Sequence, residues 1–327
     1  MISRRGVLAA GAALAALGWR GATAAPAPLT LTAADVHVAD YPTVRAVEWM
    51  GGELARATDG RIGLRMYHAG QIGREGDTVN LARFGALDLV RVNVAALNNA
   101  FPLTRVLALP YVFESADHLH RGLDGPIGRE ILDAFAARGL VGLAYYDSGA
   151  RCFYNTQRPI VVPEDLDGLK IRTPPSDIFM DVVGGLGANA TPLPYGDVFS
   201  ALGTRLIDGA ENNWQTFHTS RQFEVARYWS QSEHSYAPEV LLMSKQRFDA
   251  LPPADRDLVL DAAARSVPYM RGLWDASEAA SRQAVLDAGI AFNEVDRDAF
   301  RRAAEPIVAP YLRDAALRRL YHALREA

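Results

Sequence analysis

The sequence predicts an α/β fold built as two units bridged by one long helix, and three observations predict it. From Leu29 onward, short alternating apolar stretches are separated by amphipathic helical patterns, the β-then-α rhythm of a parallel-type sheet. That rhythm halts at Asp147-Ser148-Gly149 and restarts at Arg151. A last helical pattern opens at Pro252-Pro253 and persists to about Ala288, long enough to bridge both units, with Pro268 expected to kink it. The 327 residues, 49% hydrophobic and 22% charged, can bury one or two ordinary cores.

In chain order, residues 1–24 are read as a signal peptide. Met1 to Ala25 contains Arg4, Arg5 and Arg20 and no acid, and every residue from Gly6 to Gly18 is Gly, Ala, Val or Leu. This run is shorter than the ~20 residues a bilayer-spanning helix needs, and Ala22-Thr23-Ala24 supplies a small-residue cleavage pattern. Ser3-Arg4-Arg5-Gly6-Val7-Leu8 is similar to a twin-arginine export signal. Leu29 to Val36 then alternates as a strand, and Tyr41-Pro42 opens a helix carried by Val44, Val47, Met50 and Leu54 and stopped at Asp59-Gly60. Ile62, Leu64 and Met66 mark a second strand, about Asp77 to Phe84 a helix, and Asp88 to Val92 a strand reaching Asn93. One further helix is expected across Ala116 to Ala137, followed by a strand over Leu140 to Tyr146.

In the second unit, Arg151 to Tyr154 and Lys170-Ile171-Arg172 read as short strands, the latter broken by Pro174-Pro175. Ser176 is placed to cap a helix through Phe179 and Val183, Gly184 to Pro194 reads as a loop, Tyr195 to Leu206 as a helix, and Asp208 to Asn212 as the approach to another strand.

Composition and motifs narrow the function. The 34 basic and 38 acidic residues are mixed along the chain, and without the leader the balance is 31 to 38, so no basic patch suits nucleic acid. Cys152 is the single cysteine, which excludes an internal disulfide and any multi-cysteine metal site; between Arg151 and Phe153 it reads as a core residue. The sequence has no Gly-x-Ser-x-Gly elbow, no phosphate loop and no His-Glu-x-x-His. Gly185-Leu186-Gly187-Ala188-Asn189-Ala190 matches Gly-x-Gly-x-x-Ala but runs from helix to loop, the wrong context for a dinucleotide. His118 and His120, two apart on a predicted helix, are read as solvated rather than metal-ligating.

Three stretches carry a resemblance: Tyr146 to Tyr154 (YDSGARCFY), Asp165 to Pro174 (DLDGLKIRTP) and Ile207 to Asn213 (IDGAENN). Together they resemble the DctP-like solute-binding proteins of tripartite ATP-independent periplasmic (TRAP) transporters, over essentially all of the chain after the leader. The resemblance implies a two-lobed α/β periplasmic solute-binding fold with hinge strands and a long domain-bridging helix. It places lobe I at 25–149 plus about 237–277 and lobe II at 150–236 plus about 278–327. It also implies capture of a small organic anion by lobe closure, no chemistry, no cofactor, and delivery to the small and large membrane subunits of a sodium-driven transporter.

Arg172 matches the family's carboxylate-clamping arginine, Arg151 a second arginine near the same carboxylate, and Asn212 a ligand-binding asparagine. An arginine fork suits the task, since it offers a carboxylate two parallel charge-assisted hydrogen bonds. His37-Val38-Ala39-Asp40-Tyr41-Pro42, Gly73-Arg74-Glu75, Arg91-Val92-Asn93, Glu211-Asn212-Asn213-Trp214 and Ser232 to Glu239 are similar to the branch associated with glucuronate and galacturonate. Buried sugar hydroxyls need polar partners, which His37, Glu75, Asn93, Asn212 and Asn213 could supply. Glu75 could instead open a helix, Asn93 end a strand, and His234 satisfy a core hydrogen bond. Gln222, Phe217 and Arg205 stand where that branch usually has histidine, tyrosine and a glycine-like turn residue. Trp214 and Phe217 are open to either ring stacking or core packing. A dicarboxylate or aromatic-acid receptor, a secreted sugar-acid enzyme using Glu75 or His37 as base, and a sensor subunit are the alternatives.

Overall fold

In the computed structural model, which describes residues 28–327, the chain begins with β1 (Leu29–Ala34), α1 (Pro42–Ala57), β2 (Ile62–Tyr67), α2 (Glu75–Arg83) and β3 (Leu89–Asn93). The leader read at residues 1–24 lies outside the described residues. α1 forms because Pro42 presets the first helical φ, while Val44, Val47, Met50 and Leu54 recur on one buried face. It stops where Asp59 and Gly60 turn left-handed, at φ 51° and 81°.

The single helix expected over 116–137 is instead α3 (Ala116–Leu123), α4 (Pro126–Asp133) and a 3₁₀ turn, Ala134–Arg138. Gly125-Pro126 divides it: proline has no N–H to continue the ladder and pushes the residue before it out of the helical region, and Gly125 is extended at ψ −170°. β4 (Leu140–Tyr146) follows as the sequence predicts.

The second unit runs β5 (Arg151–Asn155), β6 (Lys170–Thr173), α5 (Asp177–Gly185), β7 (Asn189–Pro192), α6 (Val198–Gly203), β8 (Gly209–Asn212), α7 (Trp214–Thr219) and β9 (Tyr228–Ser235). The chain then crosses back as β10 (Glu239–Ser244) and ends with α8 (Lys245–Ala250), α9 (Pro253–Asp287), β11 (Ala291–Glu294), α10 (Arg297–Val308) and α11 (Ala315–Arg325). β7 lies within the stretch read as a loop. It is a four-residue edge strand parallel to β6, where Pro192 costs no ladder bond. The helix expected from Tyr195 begins as a 3₁₀ turn, Tyr195–Asp197, and Arg205 takes the left-handed turn at φ 60°. Ser176 occupies the N-cap of α5 without capping it; its hydroxyl instead meets the Asn98 side chain at 3.2 Å.

Two sheets result, ordered β2-β1-β3-β10-β4 and β11-β9-β5-β8-β6-β7. The chain passes between them at β4–β5, at β9–β10 and through α9, which packs on α1 and β4 of the first unit and on α7 of the second. α9 runs unbroken through Pro268. Leu31, Met50, Leu241 and Val259 form a core beneath α1 and α9, while Tyr154, Phe217, Trp214 and Trp229 form another beneath α6 and α7. Trp214 stacks on Trp229 at 3.8 Å, so it and Phe217 are core residues. Cys152 is fully buried, as the sequence predicts, and burial pushes its thiol up.

α11 departs from the expected boundaries. It leaves α10, which packs on α5, and returns to α3 and α4 of the first unit, burying Leu317, Leu320 and Leu324. This contact also corrects the reading of His118, which is buried: its Nε2 meets the Leu324 carbonyl at 2.7 Å and its Nδ1 accepts from the Glu114 N–H at 3.1 Å. His120 is half-buried against Asp147 at 2.8 Å.

Gly209 keeps the second sheet closed at its centre. A Cβ there would lie 2.4 Å from the Tyr154 carbonyl oxygen and 2.7 Å from the Asn155 Cβ, inside the β5–β8 pairing. Gly209→Ala is therefore expected to destabilise the fold by about 1–3 kcal/mol, seen as a lower urea midpoint at unchanged slope. An unchanged midpoint would mean that β5 and β8 can part without cost.

Candidate functional site

Between the sheets, strand ends and helix starts converge on one chamber. β3 contributes Asn93, β5 Arg151, β6 Arg172, β8 Asn212 and β10 Glu239; the start of α2 gives Glu75, and the segment after β1 gives Val36 and His37. Pro174, Tyr195 and Thr216 complete the lining. Glu75, Arg172, Pro174 and Tyr195 also border an outer vestibule of about 490 Å³, so the chamber opens to solvent through it.

The two arginines differ in what they have left to offer. Arg151 is committed to Glu211: Nε donates to one carboxylate oxygen at 2.5 Å and Nη2 to the other at 2.8 Å, with a further bond to the Glu211 carbonyl at 2.9 Å. Burial alone would raise the Glu211 carboxyl, but Arg151 and His234 bring it down to about 2, so the pair is ionic. Arg151 Nη1 faces Asn212 Oδ1 at 3.3 Å. Arg172 is 4% exposed, and its Nε donates to the Leu193 carbonyl at 2.8 Å. Among the described residues no carboxylate lies within 4 Å of it. Burial lowers its pKa, the Glu211 and Glu75 charges offset this only in part, and a guanidinium stays charged, so a desolvated cation lines the chamber hydrogen-bonded to a carbonyl alone.

The opposite wall is acidic and heavily tied. Arg91, 1% exposed, is bonded through Nε and Nη2 to Asp35, with Nε at 2.6 Å, and through Nη1 to Glu239 at 2.5 Å. Glu239 also accepts from Asn93 Nδ2 at 3.0 Å and Ser148 Oγ at 2.9 Å. Burial opposes its ionisation, but Arg91 holds it below the ordinary carboxylate range. Among the described residues Glu75 accepts only the Asn93 N–H at 2.8 Å, with Arg91 Nη1 at 3.8 Å. Desolvation, then the nearby Glu239 charge, push its carboxyl up to about 7. His37 is stacked on Tyr41 at 3.8 Å, its Nδ1 is without a partner, and burial lowers it to about 4, so its imidazole is neutral at neutral pH.

Several bonds join the lobes across this chamber. Tyr41 Oη meets Thr216 Oγ1 at 3.1 Å, Asn99 and Asp177 exchange two bonds at 3.2 Å, and Arg74 reaches Asp197 at 3.3 Å at the vestibule rim. These bonds hold the two units together, with polar groups from both facing one chamber.

Residues 33–314 match the DctP family of bacterial extracellular solute-binding proteins, family 7. The chain belongs to that family. It is 47% identical to a TRAP periplasmic solute-binding protein from Bradyrhizobium sp. BTAi1, crystallised with α/β-D-galacturonate, over 91% of this chain and all of that one, with a TM-score of 0.90. A second, from Xanthobacter autotrophicus Py2 with bound β-D-galacturonate, is 46% identical over 91% and 99% of the two chains, at 0.89. A solute-binding protein from Chromohalobacter salexigens is 37% identical over 281 residues, 86% of this chain and 84% of its own. A structure from the same species with bound D-glucuronate is 36% identical over 90% and 99%, at 0.88. The family is periplasmic, and among the described residues no helix is long and apolar enough to cross a membrane.

For this DctP-family protein, six of the seven residues singled out from sequence, His37, Glu75, Asn93, Arg151, Arg172 and Asn212, line one chamber. Asn213 does not: its Oδ1 caps α7 by accepting the Thr216 N–H at 2.7 Å, the ordinary use of asparagine at a helix start. Tyr195, Thr216 and Glu239 are lining residues that sequence reasoning missed. Glu239 lies inside a stretch quoted for its resemblance, but nothing local marks it as reaching Arg91, 148 residues away.

Proposed function

We propose that this DctP-family protein is the periplasmic receptor that captures a hexuronate, D-galacturonate or D-glucuronate, and presents it to the membrane subunits of a TRAP transporter for sodium-coupled uptake. The single observation that carries the reading is Arg172, a buried guanidinium with no bonded carboxylate among the described residues, where a polar chamber meets its vestibule. Buried charges persist when paired, and a ligand carboxylate supplies the missing anion. In this reading the fork of Arg172 takes both carboxylate oxygens and Arg151 Nη1 adds a third bond. Glu211 holds the Arg151 side chain in place.

The hydroxyls then fall to the remaining lining groups. Asn212 Oδ1 is already used by Arg151 and by the Asn213 N–H at 2.9 Å, leaving its amide nitrogen to donate. His37 presents a neutral ring, which can donate or accept. The galacturonate- and glucuronate-bound relatives support a sugar acid over other anions. Export by the residue 1–24 leader, binding without chemistry, and transfer to the small and large permease components belong to the same proposal.

The test is thermal unfolding of the mature protein with D-galacturonate, D-glucuronate, D-glucose and succinate. A ligand that binds only the folded form stabilises it by about 4 kcal/mol at a thousandfold excess over Kd, a shift of many degrees. Shifts with the uronates and none with glucose are expected. A shift with succinate alone would replace the sugar acid by a dicarboxylate, and turnover of the uronate would make the protein an enzyme.

A further inference from the structure

We propose that Glu75 binds the ligand as the neutral acid, donating its proton to a ligand oxygen, so that capture of the anion takes up one proton and affinity falls as pH rises. The inference rests on the receptor reading above and concerns the same chamber.

The arrangement of charges leads to it. The chamber and its immediate supports hold three cations, Arg91, Arg151 and Arg172, against four carboxylates, Asp35, Glu75, Glu211 and Glu239. Three of those carboxylates are fully spoken for. Asp35 takes two bonds from Arg91, the Thr43 hydroxyl and the His37 N–H; Glu211 takes the Arg151 fork; Glu239 takes Arg91, Asn93 and Ser148. Glu75 has a single backbone N–H as donor. Asn93 ties it to Glu239, since its backbone N–H serves Glu75 and its side-chain amide serves Glu239, so the two carboxylates sit on either side of one residue. When like charges share a site, the one with fewer donors and no bonded cation keeps a proton, and here that is Glu75.

A ligand carboxylate makes this sharper. The charges that favour ionised Glu75 are Arg91 from β3 and, across the chamber, Arg172 and Arg151; opposing them is Glu239 from β10. An incoming carboxylate occupies Arg172, removing one of those supports, and adds a fifth negative charge to the enclosure. His37 faces the chamber as a neutral ring and does not offset it. Asp77 and Arg74, beside Glu75 in sequence, line the vestibule outside. A neutral Glu75 relieves the excess and gains a use, because a protonated carboxyl is a donor to a hydroxyl or ring oxygen.

The experiment is isothermal titration calorimetry of D-galacturonate into the wild-type protein and Glu75→Gln, from about pH 6 to pH 9, in buffers of differing ionisation enthalpy; the ligand carboxylate stays ionised throughout this range. Wild type is expected to bind with a flat affinity on the acid side, then to lose about tenfold per pH unit above about 7, with up to one proton taken up per ligand. Glutamine imitates the neutral acid, so Glu75→Gln is expected to keep acid-side affinity within a few fold and to lose the pH dependence. Wild-type binding that is independent of pH with no proton uptake would overturn the inference and leave the receptor intact. So would a Glu75→Gln variant that retains the proton uptake, or a folded one that binds at least tenfold more weakly at pH 6. Failure of galacturonate and glucuronate to bind at any pH would instead remove the receptor reading on which the inference stands.

Discussion

Arg172→Ala is expected to weaken uronate binding by thirtyfold or more while leaving the unliganded protein at least as stable as the wild type. Truncating one partner of a desolvated, hydrogen-bonded charge pair costs about 2–5 kcal/mol of binding. In the proposed receptor the partner is the ligand's carboxylate, so the loss is expected in affinity alone. In the unliganded state Arg172 gives the protein one bond to the Leu193 carbonyl and a desolvated charge with no carboxylate bonded to it, so removing it relieves a burial penalty. Arg172→Lys should keep part of the affinity through its point charge and lose the bidentate component. Calorimetric Kd values with urea unfolding of the same variants check both halves. An alanine variant that binds normally would move the carboxylate elsewhere in the chamber. One that is several kcal/mol less stable without ligand would give Arg172 a structural role in place of a binding one.

Why Arg172 was legible in the sequence, and Glu239 was not, comes down to range. Arg172 ends a strand in a continuous stretch, Leu169 to Pro174, whose prolines fix the direction of the chain just past the side chain. Arg151 opens β5 beside the turn that first revealed the second unit. The Arg91 clamp, by contrast, joins residues 56 and 148 positions away through sheet pairing that no local pattern encodes. Asn213 shows the converse difficulty: asparagine in a binding-like stretch has the same chemistry whether it meets a ligand or caps a helix, and its oxygen is seen to cap only once the start of α7 is known.

The fold was readable where local rules act alone. β4 is a continuous apolar run just after Gly139 and α1 starts at a proline, and both lie where the sequence puts them. The errors fall where tertiary contacts decide. β7 is four residues long and exists because β6 offers an unpaired edge. α11 has an ordinary amphipathic pattern that says it will bury Leu317, Leu320 and Leu324, but not that it will do so against the first unit. His118 is buried as a consequence of that return, so its environment was no more readable than the return itself.

The Arg91 clamp should also carry the largest stability effect in the molecule. Arg91→Met removes the cation and leaves Asp35 and Glu239 buried and unopposed, a loss expected to reach about 3–5 kcal/mol near neutral pH. The pH dependence separates this cause from simple loss of packing. In the wild type Glu239 ionises more readily folded than unfolded, so its contribution is present above the unfolded pKa and is lost as pH falls through the folded one. Without Arg91, burial lifts the folded pKa of both carboxyls above their unfolded values. Their destabilisation is then full at neutral pH and is relieved as they take protons toward about pH 4–5. Wild type and variant therefore converge on acidification, which urea unfolding at several pH values would show; a gap independent of pH would assign the loss to packing instead. Replacing the ionic groups together, as Asp35→Asn, Arg91→Met and Glu239→Gln, leaves no orphaned charge and should recover most of the loss. The recovered protein would separate what the clamp does for folding from what it does for the site, because it would lack the Glu239 charge that, after burial, raises the Glu75 carboxyl.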